Sequence, residues 1–345
     1  MKRELPAGTL WAFRLIAFGL PLLIGGLITI VVMIKFRFLV RDDDGNMALQ
    51  RPIYLQEPDH EVSGHQYLYD SALGWRNIPG YNASTRGREL KINARGLRDR
   101  DYDLEKPVGH GRLLVLGDSF TWGYGVDNRA IYTEVLEERL QDRQPPWEVI
   151  NCGVSGWGTD QQYLFLKAEG FRYQPDVVLV ALFLINDPHE NTSSHVYGMH
   201  KPVFLNTQLE LGNTPVPKPG EPVVVRSSVE PVAMTTSILA AMERECRDRS
   251  IRLGVMKFGR FLRPEDPELL KDEQRLEAWI AERPDLHYLD LDDSFRDRSI
   301  TREELVEGNY DGHWNARGHA LVAEILQEFL ADRELLAPAL PAPLD

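Results

Sequence analysis

The sequence predicts an α/β protein, a three-layer α/β/α sandwich with a mostly parallel sheet, preceded by one transmembrane helix. Short apolar runs alternate with longer segments of helical pattern from residue 112 onward. Such alternation is typical of a parallel sheet that is covered by helices on both faces. Near the N-terminus, residues 15–34 form an apolar run without a single charge, which predicts the transmembrane helix.

The predicted elements of the main domain follow the chain in a regular order. They are strand 112–116, helix 129–142, strand 147–151, helix 159–169, strand 176–184, helix 232–249, strand 251–257, helix 266–282, strand 287–291 and helix 315–333. Each apolar run that predicts a strand is short, and each helical segment is long enough to cross back over the sheet.

Composition divides the chain into five parts. They are an N-terminal tail 1–14, a membrane anchor 15–38, a turn-rich pre-domain 39–105, the main domain 106–334 with an insertion 187–228, and a disordered tail 335–345. In the pre-domain, residues 73–76 and 92–98 predict a small hairpin packed on the main domain, although the segment by itself could be only a stalk. The insertion could be a lid or binding loop, or only a surface excursion.

The predicted span at residues 15–34 is long enough to cross a bilayer. Twenty residues in a helix, at about 1.5 Å per residue, match a hydrocarbon layer of about 30 Å. A cleaved signal peptide would have a shorter apolar core and a small-residue cleavage site. A soluble helix of this kind would have to be covered on every side. We therefore expect a retained anchor whose partner is the lipid bilayer.

The orientation of this anchor is left open by its flanking charges, which are nearly balanced. The basic residues on the two sides are Lys2, Arg3 and Arg14 before the span and Lys35, Arg37 and Arg41 after it.

Charge and cysteine content exclude several classes of function. The net charge of −13 argues against nucleic-acid binding, which needs a basic face. Only Cys152 and Cys246 are present, so no disulfide framework is expected. We interpret Cys152 as a small buried hydrophobe rather than a nucleophile. The spacing of His189, His195 and His200 matches no common zinc pattern, so neither a metal nor a cofactor is expected.

The most informative motif is Gly-Asp-Ser-Phe at residues 117–120, directly after the apolar run 113–116. A serine on the turn that ends a buried strand projects its hydroxyl into the crevice where α/β proteins bind ligands. That hydroxyl becomes a nucleophile only when a base removes its proton and a carboxylate orients the base. Asp311 and His313 lie close enough in sequence to supply both groups from one loop.

Two further strand ends carry groups that could stabilise an oxyanion. Residues 151–156, Asn-Cys-Gly-Val-Ser-Gly, end the second apolar run, and Asn186 ends the third. Together with the Ser119 turn, these segments would gather backbone N–H groups and one carboxamide around the serine, which is the composition of an oxyanion hole.

The order Gly-Asp-Ser, then Ser-Gly, then Asn-Asp, then Asp-x-His resembles the SGNH/GDSL hydrolase superfamily across residues 110–333. The resemblance implies a flavodoxin-like sandwich that needs no cofactor. It implies that Ser119 is the nucleophile, His313 the base and Asp311 its partner. It also implies that the oxyanion donors are the N–H groups of Ser119 and Gly156 and the side chain of Asn186.

Two positions depart from the family pattern. Leu184 stands where the family usually has Gly, and Asp311 and His313 are two rather than three residues apart. Residues two apart do not face each other on a helix, so this pair must lie in a turn, which Gly312 allows. Alternatively, Asp311 caps the last helix and another group orients the histidine.

A different serine-hydrolase fold fits less well. The α/β-hydrolase elbow needs a glycine two residues after the serine, and Thr121 stands there instead. The near adjacency of Asp311 and His313 also disfavours that fold.

Three aromatic residues close to these motifs could line a pocket. Trp122 and Tyr124 follow Ser119, and Trp157 follows Gly156. They could wall an acyl pocket or stack on a sugar ring, but aromatic residues near strand ends also commonly pack in the core.

These observations predict a membrane-anchored serine esterase that hydrolyses ester-linked acyl groups, with acetyl as the expected group. A surface polysaccharide is suggested as substrate because similar pre-domain segments precede the serine motif in membrane-tethered family members linked to such polymers. We expect a single-pass membrane protein whose catalytic domain is extracytoplasmic or periplasmic. The alternatives are an O-acyltransferase on the same fold and an inert membrane-complex subunit that kept the fold.

The substitution Asp311→Asn separates the two roles open to this aspartate. If Asp311 orients His313, asparagine favours the wrong tautomer and should lower turnover of an aryl ester by as much as ~10⁴-fold. If it only caps a helix, asparagine is nearly as good a cap, and turnover should be unchanged. We expect the large loss at constant melting temperature, measured by steady-state kinetics and thermal unfolding. Unchanged turnover would remove Asp311 from the triad.

Overall fold

The computed structural model describes residues 39–41, 47–49, 67–85, 88–218, 225–306 and 312–337. The chain divides into two compact units, Met1–Glu57 and Pro58–Asp345. In the first unit, strands β1 (Leu39–Arg41) and β2 (Met47–Leu49) form an antiparallel hairpin. The predicted span at 15–34 lies outside the described residues. Within the described part of the chain, no helix is long and apolar enough to cross a membrane.

The second unit begins with two antiparallel hairpins and continues into the first half of the main domain. Its elements are β3 (Tyr67–Asp70), β4 (Gly74–Asn77), β5 (Asn82–Thr85), β6 (Arg88–Lys91), β7 (Gly111–Leu116), α1 (Ser119–Trp122), α2 (Tyr132–Leu140), β8 (Trp147–Asn151), α3 (Thr159–Ala168) and β9 (Val177–Phe183). The part of the pre-domain from residue 67 onward therefore contains two hairpins, β3–β4 and β5–β6, where the sequence predicted one.

The insertion and the second half of the main domain follow. Their elements are α4 (Asp187–Glu190), β10 (His195–Val196), β11 (Met199–His200), β12 (Val203–Phe204), β13 (Leu211–Gly212), α5 (Pro231–Arg247), β14 (Arg252–Phe258), α6 (Pro267–Ala281), β15 (His287–Asp290), α7 (Leu291–Asp297), α8 (Arg302–Val306) and α9 (Ala316–Asp332). The last helix begins at an asparagine N-cap, because the Asn315 side chain accepts a hydrogen bond from the Gly318 N–H at 2.8 Å.

The central sheet has five parallel strands in the order β15–β14–β9–β7–β8. Strand β7 lies between β8 and β9, so the direction in which successive strands are added reverses beside it. This is the strand order of flavodoxin-like sheets, in which ligands bind outside the carboxyl ends of the strands at the reversal. The sequence prediction of a parallel α/β sheet flanked by helices is confirmed.

Two apolar clusters cover the two faces of this sheet. On one face the strands pack against α3, α5 and α6, with Leu166, Ile238 and Leu276 among the buried contacts. On the other face they pack against α2, α7 and α9, with Leu136 and Leu326 in the second cluster. Strands β7 and β9 are apolar along almost their whole length because both of their faces are buried.

The structure describes most of the insertion and the start of the predicted tail. The insertion 187–228 holds α4 and the hairpins β10–β11 and β12–β13. Of the tail 335–345 that was predicted to be disordered, residues 335–337 are ordered, and residues 338–345 lie outside the described residues. Leu335 and Leu336 are buried in the second cluster, and the guanidinium of Arg252 donates to the Ala337 carbonyl at 2.9 Å.

A buried ion pair attaches the insertion to the main domain. Lys201, which follows β11, is fully buried, and its ammonium donates to a carboxylate oxygen of Asp160 on α3. The Asp160 side chain is also buried, with 1% of its surface exposed, and its second oxygen accepts from the Gln161 N–H. Each charge in this pair therefore depends on the other for compensation.

Substituting Lys201→Met should lower the free energy of unfolding by about 3 kcal/mol, because the Asp160 carboxylate stays buried without its cation. The double variant Lys201→Met/Asp160→Asn should recover part of that loss, since no buried charge remains. The matched control is Lys271→Met, because the exposed Lys271–Glu268 pair should contribute less than about 1 kcal/mol. Urea unfolding measures all three. Equal losses for Lys201→Met and Lys271→Met would contradict this role.

Candidate active site

Ser119 is the first residue of α1, directly after β7. Asp118 caps this helical turn, because its carboxylate accepts a hydrogen bond from the Phe120 N–H at 2.9 Å. Gly117 allows the sharp change of direction, since a Cβ atom there would lie 2.1 Å from the Thr121 hydroxyl oxygen. The strand end, the glycine and the cap together direct Ser119 to the crevice at the sheet reversal.

His313 approaches Ser119 from the segment that precedes α9. Its Nε2 atom lies 2.7 Å from the Ser119 hydroxyl oxygen. The imidazole lies against two aromatic rings, with its centroid 4.6 Å from that of Phe120 and 4.8 Å from that of Tyr124. These rings restrict the orientations available to the imidazole. The contact geometry is that of a serine and a base able to accept its proton.

Arg98, from the pre-domain, stabilises the end of the nucleophile turn. This buried guanidinium donates to the carbonyls of Trp122, Gly123 and Val126 at 3.0, 2.6 and 2.6 Å. It also lies 4.4 Å from the centroid of the Trp122 ring, which adds a cation–π contact. Burial lowers the pKa of Arg98 to about 10, which leaves it charged at neutral pH.

Gly156 lies in the loop between β8 and α3 and has a φ angle of +80°, which favours glycine. The preceding peptide is held from the pre-domain, because the Trp75 indole N–H donates to the Ser155 carbonyl at 3.1 Å. In return, the Trp157 indole N–H donates to the Trp75 carbonyl at 2.9 Å. The peptide that carries the Gly156 N–H is thus fixed by two buried tryptophans.

Asn186 occupies the N-cap position of α4, but its side chain makes no capping hydrogen bond. Its amide nitrogen instead contacts a carboxylate oxygen of Glu190 and the hydroxyl of Tyr197, each at 3.0 Å. The Tyr197 hydroxyl in turn donates to the same Glu190 oxygen. The carboxamide is therefore oriented by two residues of the insertion, Glu190 on α4 and Tyr197 beyond it.

Three buried carboxyl groups surround these residues, and burial raises the pKa of each. The pKa of Asp118 rises to about 6, opposed by its backbone hydrogen bonds and by the nearby charge of His313. The pKa of Glu190 rises to about 7, opposed by the hydrogen bond from Tyr197. The pKa of Asp187 is raised well above its usual value by burial and by repulsion from Asp118 and Glu190. Of the three, Asp118 is the carboxyl group whose charged form His313 favours.

The structure brings some of the predicted site residues together. Ser119 and His313 are in direct contact, and Gly156 and Asn186 both contact Tyr197. Asp311, the predicted partner of His313, lies outside the described residues, so its role stays a prediction.

The three aromatic residues predicted to line a pocket differ in exposure. Trp122 is buried, and its indole N–H donates to the Asn77 carboxamide oxygen at 3.0 Å. Trp157 is also buried, with its N–H held by the Trp75 carbonyl. Tyr124 is partly exposed beside His313. Of the three, only Tyr124 is open to a ligand.

The sequence reasoning missed three residues that organise the site, namely Trp75, Arg98 and Tyr197. The pre-domain segments that carry Trp75 and Arg98 were predicted to be ordered, but nothing in their local pattern indicated contact with the site. Tyr197 is followed by a glycine, and such a Tyr-Gly pair in the insertion was a weak signal for a tight turn.

A cluster of carboxyl groups outside the site is the one arrangement in the described residues with the geometry of metal ligands. It consists of Glu273, Glu277 and Asp290. The Lys257 ammonium contacts Asp290 at 2.7 Å and also contacts Glu273, so a protein cation already compensates these charges.

Cys152 is fully buried, and burial raises the pKa of its thiol well above the usual value, which makes it a poor nucleophile.

Comparison with known families assigns the chain. Residues 115–321, more than half of the sequence, match the model of the GDSL-like Lipase/Acylhydrolase family. The chain belongs to this family. Its members are esterases and acylhydrolases, a class of hydrolase. The matched segment contains Ser119, Gly156, Asn186 and His313.

Several solved structures are similar to this chain at low identity. TesA is 18% identical, with a TM-score of 0.43, over 64% of this chain and 99% of that chain. An acetylxylan esterase from Geobacillus stearothermophilus is 17% identical, with a TM-score of 0.43, over 65% of this chain and 96% of that one. A two-domain esterase active on acetylated mannans is 16% identical, with a TM-score of 0.43, over 68% and 53%. No curated protein sequence matches the chain.

Proposed function

We propose that this chain is a membrane-anchored serine esterase that removes small acyl groups, with acetyl as the preferred group, from a surface polysaccharide. The observation that supports the proposal most is the 2.7 Å contact between the Ser119 hydroxyl and His313 Nε2 at the sheet reversal. The chain also belongs to a family of acylhydrolases. A serine hydroxyl whose proton is taken by a base is a nucleophile suited to the hydrolysis of esters.

In the proposed reaction, Ser119 Oγ attacks the ester carbonyl carbon while His313 Nε2 accepts the hydroxyl proton. The carbonyl oxygen becomes an oxyanion, for which the candidate donors are the N–H groups of Ser119 and Gly156 and the Asn186 carboxamide. As the intermediate collapses, the bond to the alcohol breaks and His313 returns its proton to the leaving oxygen. Water then repeats the sequence on the acyl-serine and releases the carboxylic acid.

Two features favour a small acyl group on a sugar. Trp122 and Trp157 are buried with their N–H groups satisfied, so they offer no open wall to a long acyl chain. The exposed aromatic surface beside the site comes instead from Tyr124 and Tyr197. Partly exposed tyrosine rings with a polar tip suit contact with a hydrated ligand such as a sugar.

Substituting Ser119→Ala tests the nucleophile. We expect loss of acetyl-ester hydrolysis by on the order of 10⁴-fold or more, together with loss of covalent labelling by a fluorophosphonate probe. The matched control is Ser237→Ala on α5, whose hydroxyl donates only to the Ala233 carbonyl within that helix. This control should stay fully active. Turnover within tenfold of wild type in Ser119→Ala would end the serine-esterase proposal.

The same purified protein can be used to distinguish ester hydrolysis from acyl transfer to a sugar. A series of aryl esters from acetyl to octanoyl should show the highest kcat/KM for acetyl. Adding an oligosaccharide acceptor should not divert the acetyl group from water. An acetylated oligosaccharide as the main product would identify an acyltransferase, and no labelling or turnover at all would identify an inert subunit.

The topology of the proposed anchor can be measured separately. We expect Met1 in the cytoplasm and residues 40–345 outside, so a reporter that is active only in oxidising space should work when fused after Asp345. A reporter that is active only in the cytoplasm should fail at the same position. The opposite pair of results would reverse the orientation.

A further inference from the structure

Tyr197 lies at the tip of the short hairpin β10–β11 in the insertion. The strands pair His195 with His200 and Val196 with Met199, which leaves Tyr197 and Gly198 as the two turn residues. Both have positive φ angles, +50° and +78°, as a two-residue turn between twisted strands requires. A non-glycine residue rarely adopts this conformation, so the tight turn holds Tyr197 in a defined place.

The hydroxyl end of Tyr197 contacts the Asn186 carboxamide and Glu190 together. Asn186 Nδ2 lies 3.0 Å from the Tyr197 hydroxyl and 3.0 Å from the Glu190 oxygen to which that hydroxyl donates. The two acceptors are hydrogen-bonded to each other, so they lie on the same side of Nδ2. The two hydrogens of an amide group point well apart. One hydrogen therefore serves both acceptors, and the second is directed elsewhere.

The ring of the same tyrosine packs on the other candidate oxyanion donor. A Cβ atom placed on Gly156 would lie 3.1 Å from Tyr197 Cδ2 and 3.3 Å from Cε2. The ring therefore sits directly on the glycine turn after β8, while its hydroxyl reaches the residue after β9. A single side chain spans the two donors, yet 49% of its surface remains exposed.

The base of the hairpin is anchored, so this contact is built into the fold. The Lys201 N–H donates to the Ser194 carbonyl at 2.8 Å across the base of the hairpin. The Lys201 side chain forms the buried pair with Asp160. The Asn213 carboxamide donates to the Lys201 carbonyl at 2.7 Å. On the pre-domain side, the His200 carbonyl lies so close to Gly74 that a Cβ there would be 2.3 Å away.

We propose that Tyr197 is a positioning residue of the oxyanion hole, which orients the Asn186 carboxamide through its hydroxyl and covers Gly156 with its ring. The proposal rests on the proposed esterase function. In this arrangement, Glu190 and Tyr197 hold one amide hydrogen of Asn186 so that the other faces the developing oxyanion. The insertion thus supplies this part of the site from a hairpin turn 11 residues after Asn186.

The charged groups around Glu190 make this arrangement sensitive to pH. Asp118 beside the nucleophile and Asp187 on α4 repel a charge on Glu190, whereas Lys201 and the hydrogen bonds from Tyr197 and Asn186 favour it. Burial dominates and raises the pKa of Glu190 to about 7. Removing the Tyr197 hydroxyl takes away a group that lowers this pKa, so the pKa should rise further.

Tyr197→Phe isolates the hydroxyl, because it keeps the ring on Gly156. We expect kcat for an aryl acetate to fall on the order of tenfold, less than the 10²–10³-fold typical of losing an oxyanion donor outright. KM should change by less than about twofold, since the hydroxyl acts on the transition state. Tyr197→Ala, which also removes the ring, should lower kcat further. The matched control is Tyr288→Phe on β15, whose hydroxyl makes no hydrogen bond in the described residues; it should leave both constants unchanged.

Thermal unfolding at several pH values tests the same contact without any catalysis. The folded-state pKa of Glu190 is raised, so its contribution to stability is full below its unfolded value near 4.5 and is lost as pH rises through about 7. In Tyr197→Phe the folded pKa is higher still. The fall in Tm between about pH 5 and about pH 8 should therefore be larger than in wild type, and Tyr288→Phe should match wild type.

The outcomes separate this inference from the proposed function. If wild type is inactive and Tyr197→Phe still shows the altered Tm profile, the esterase proposal and the positioning role are both overturned. The Tyr197–Glu190 hydrogen bond would then still be supported. An active wild type with unchanged kcat in Tyr197→Phe would overturn the positioning role alone. An unchanged Tm profile would show that the Tyr197–Glu190 bond is absent and would also overturn it.

Discussion

The parallel pairing of β7 with both β8 and β9 is the constraint on which the site depends. Parallel strands bring their carboxyl ends to one edge, so the residues that follow these three strands meet there. Ser119, Gly156 and Asn186 come from three different segments, which follow three strands that end at the same edge of the sheet. His313 comes from the segment before α9, whose helix packs on the same sheet through the second apolar cluster. A shift in register of β7 would separate the serine from the rest.

The pre-domain supplies side chains that hold the backbone around Ser119 and Gly156. Arg98 satisfies three carbonyls where α1 ends, and Trp75 holds the peptide before Gly156. Carbonyl groups at a helix end need partners when they are buried, and here a buried guanidinium supplies them. The turns around the nucleophile are therefore fixed by side chains from outside the segment that matches the family, and residues 67–105 belong to the same compact unit as the sheet.

Buried carboxyl groups give the crevice an unusual electrostatic character. Asp118, Asp187 and Glu190 lie close enough to repel one another, and burial raises the pKa of each. Such a cluster is unfavourable for stability at neutral pH but favours a nearby cation. The insertion lowers part of this cost, since the hydroxyl of Tyr197 and the charge of Lys201 both favour the charged form of Glu190. The same contacts that make the charges tolerable also orient the groups beside Ser119.

The sequence alone predicted the alternation of strands and helices and a mostly parallel sheet, and its motifs, through the family resemblance, predicted that Ser119 pairs with His313. It could do so because apolar periodicity and strand-end motifs are local signals, readable in windows of a few residues. Tertiary structure decided which side chains hold these groups in place. Trp75 donates to a carbonyl 80 residues away, and Arg98 donates to carbonyls 24 to 28 residues away. Such contacts join distant segments through packing, and the local sequence of one partner does not predict the other.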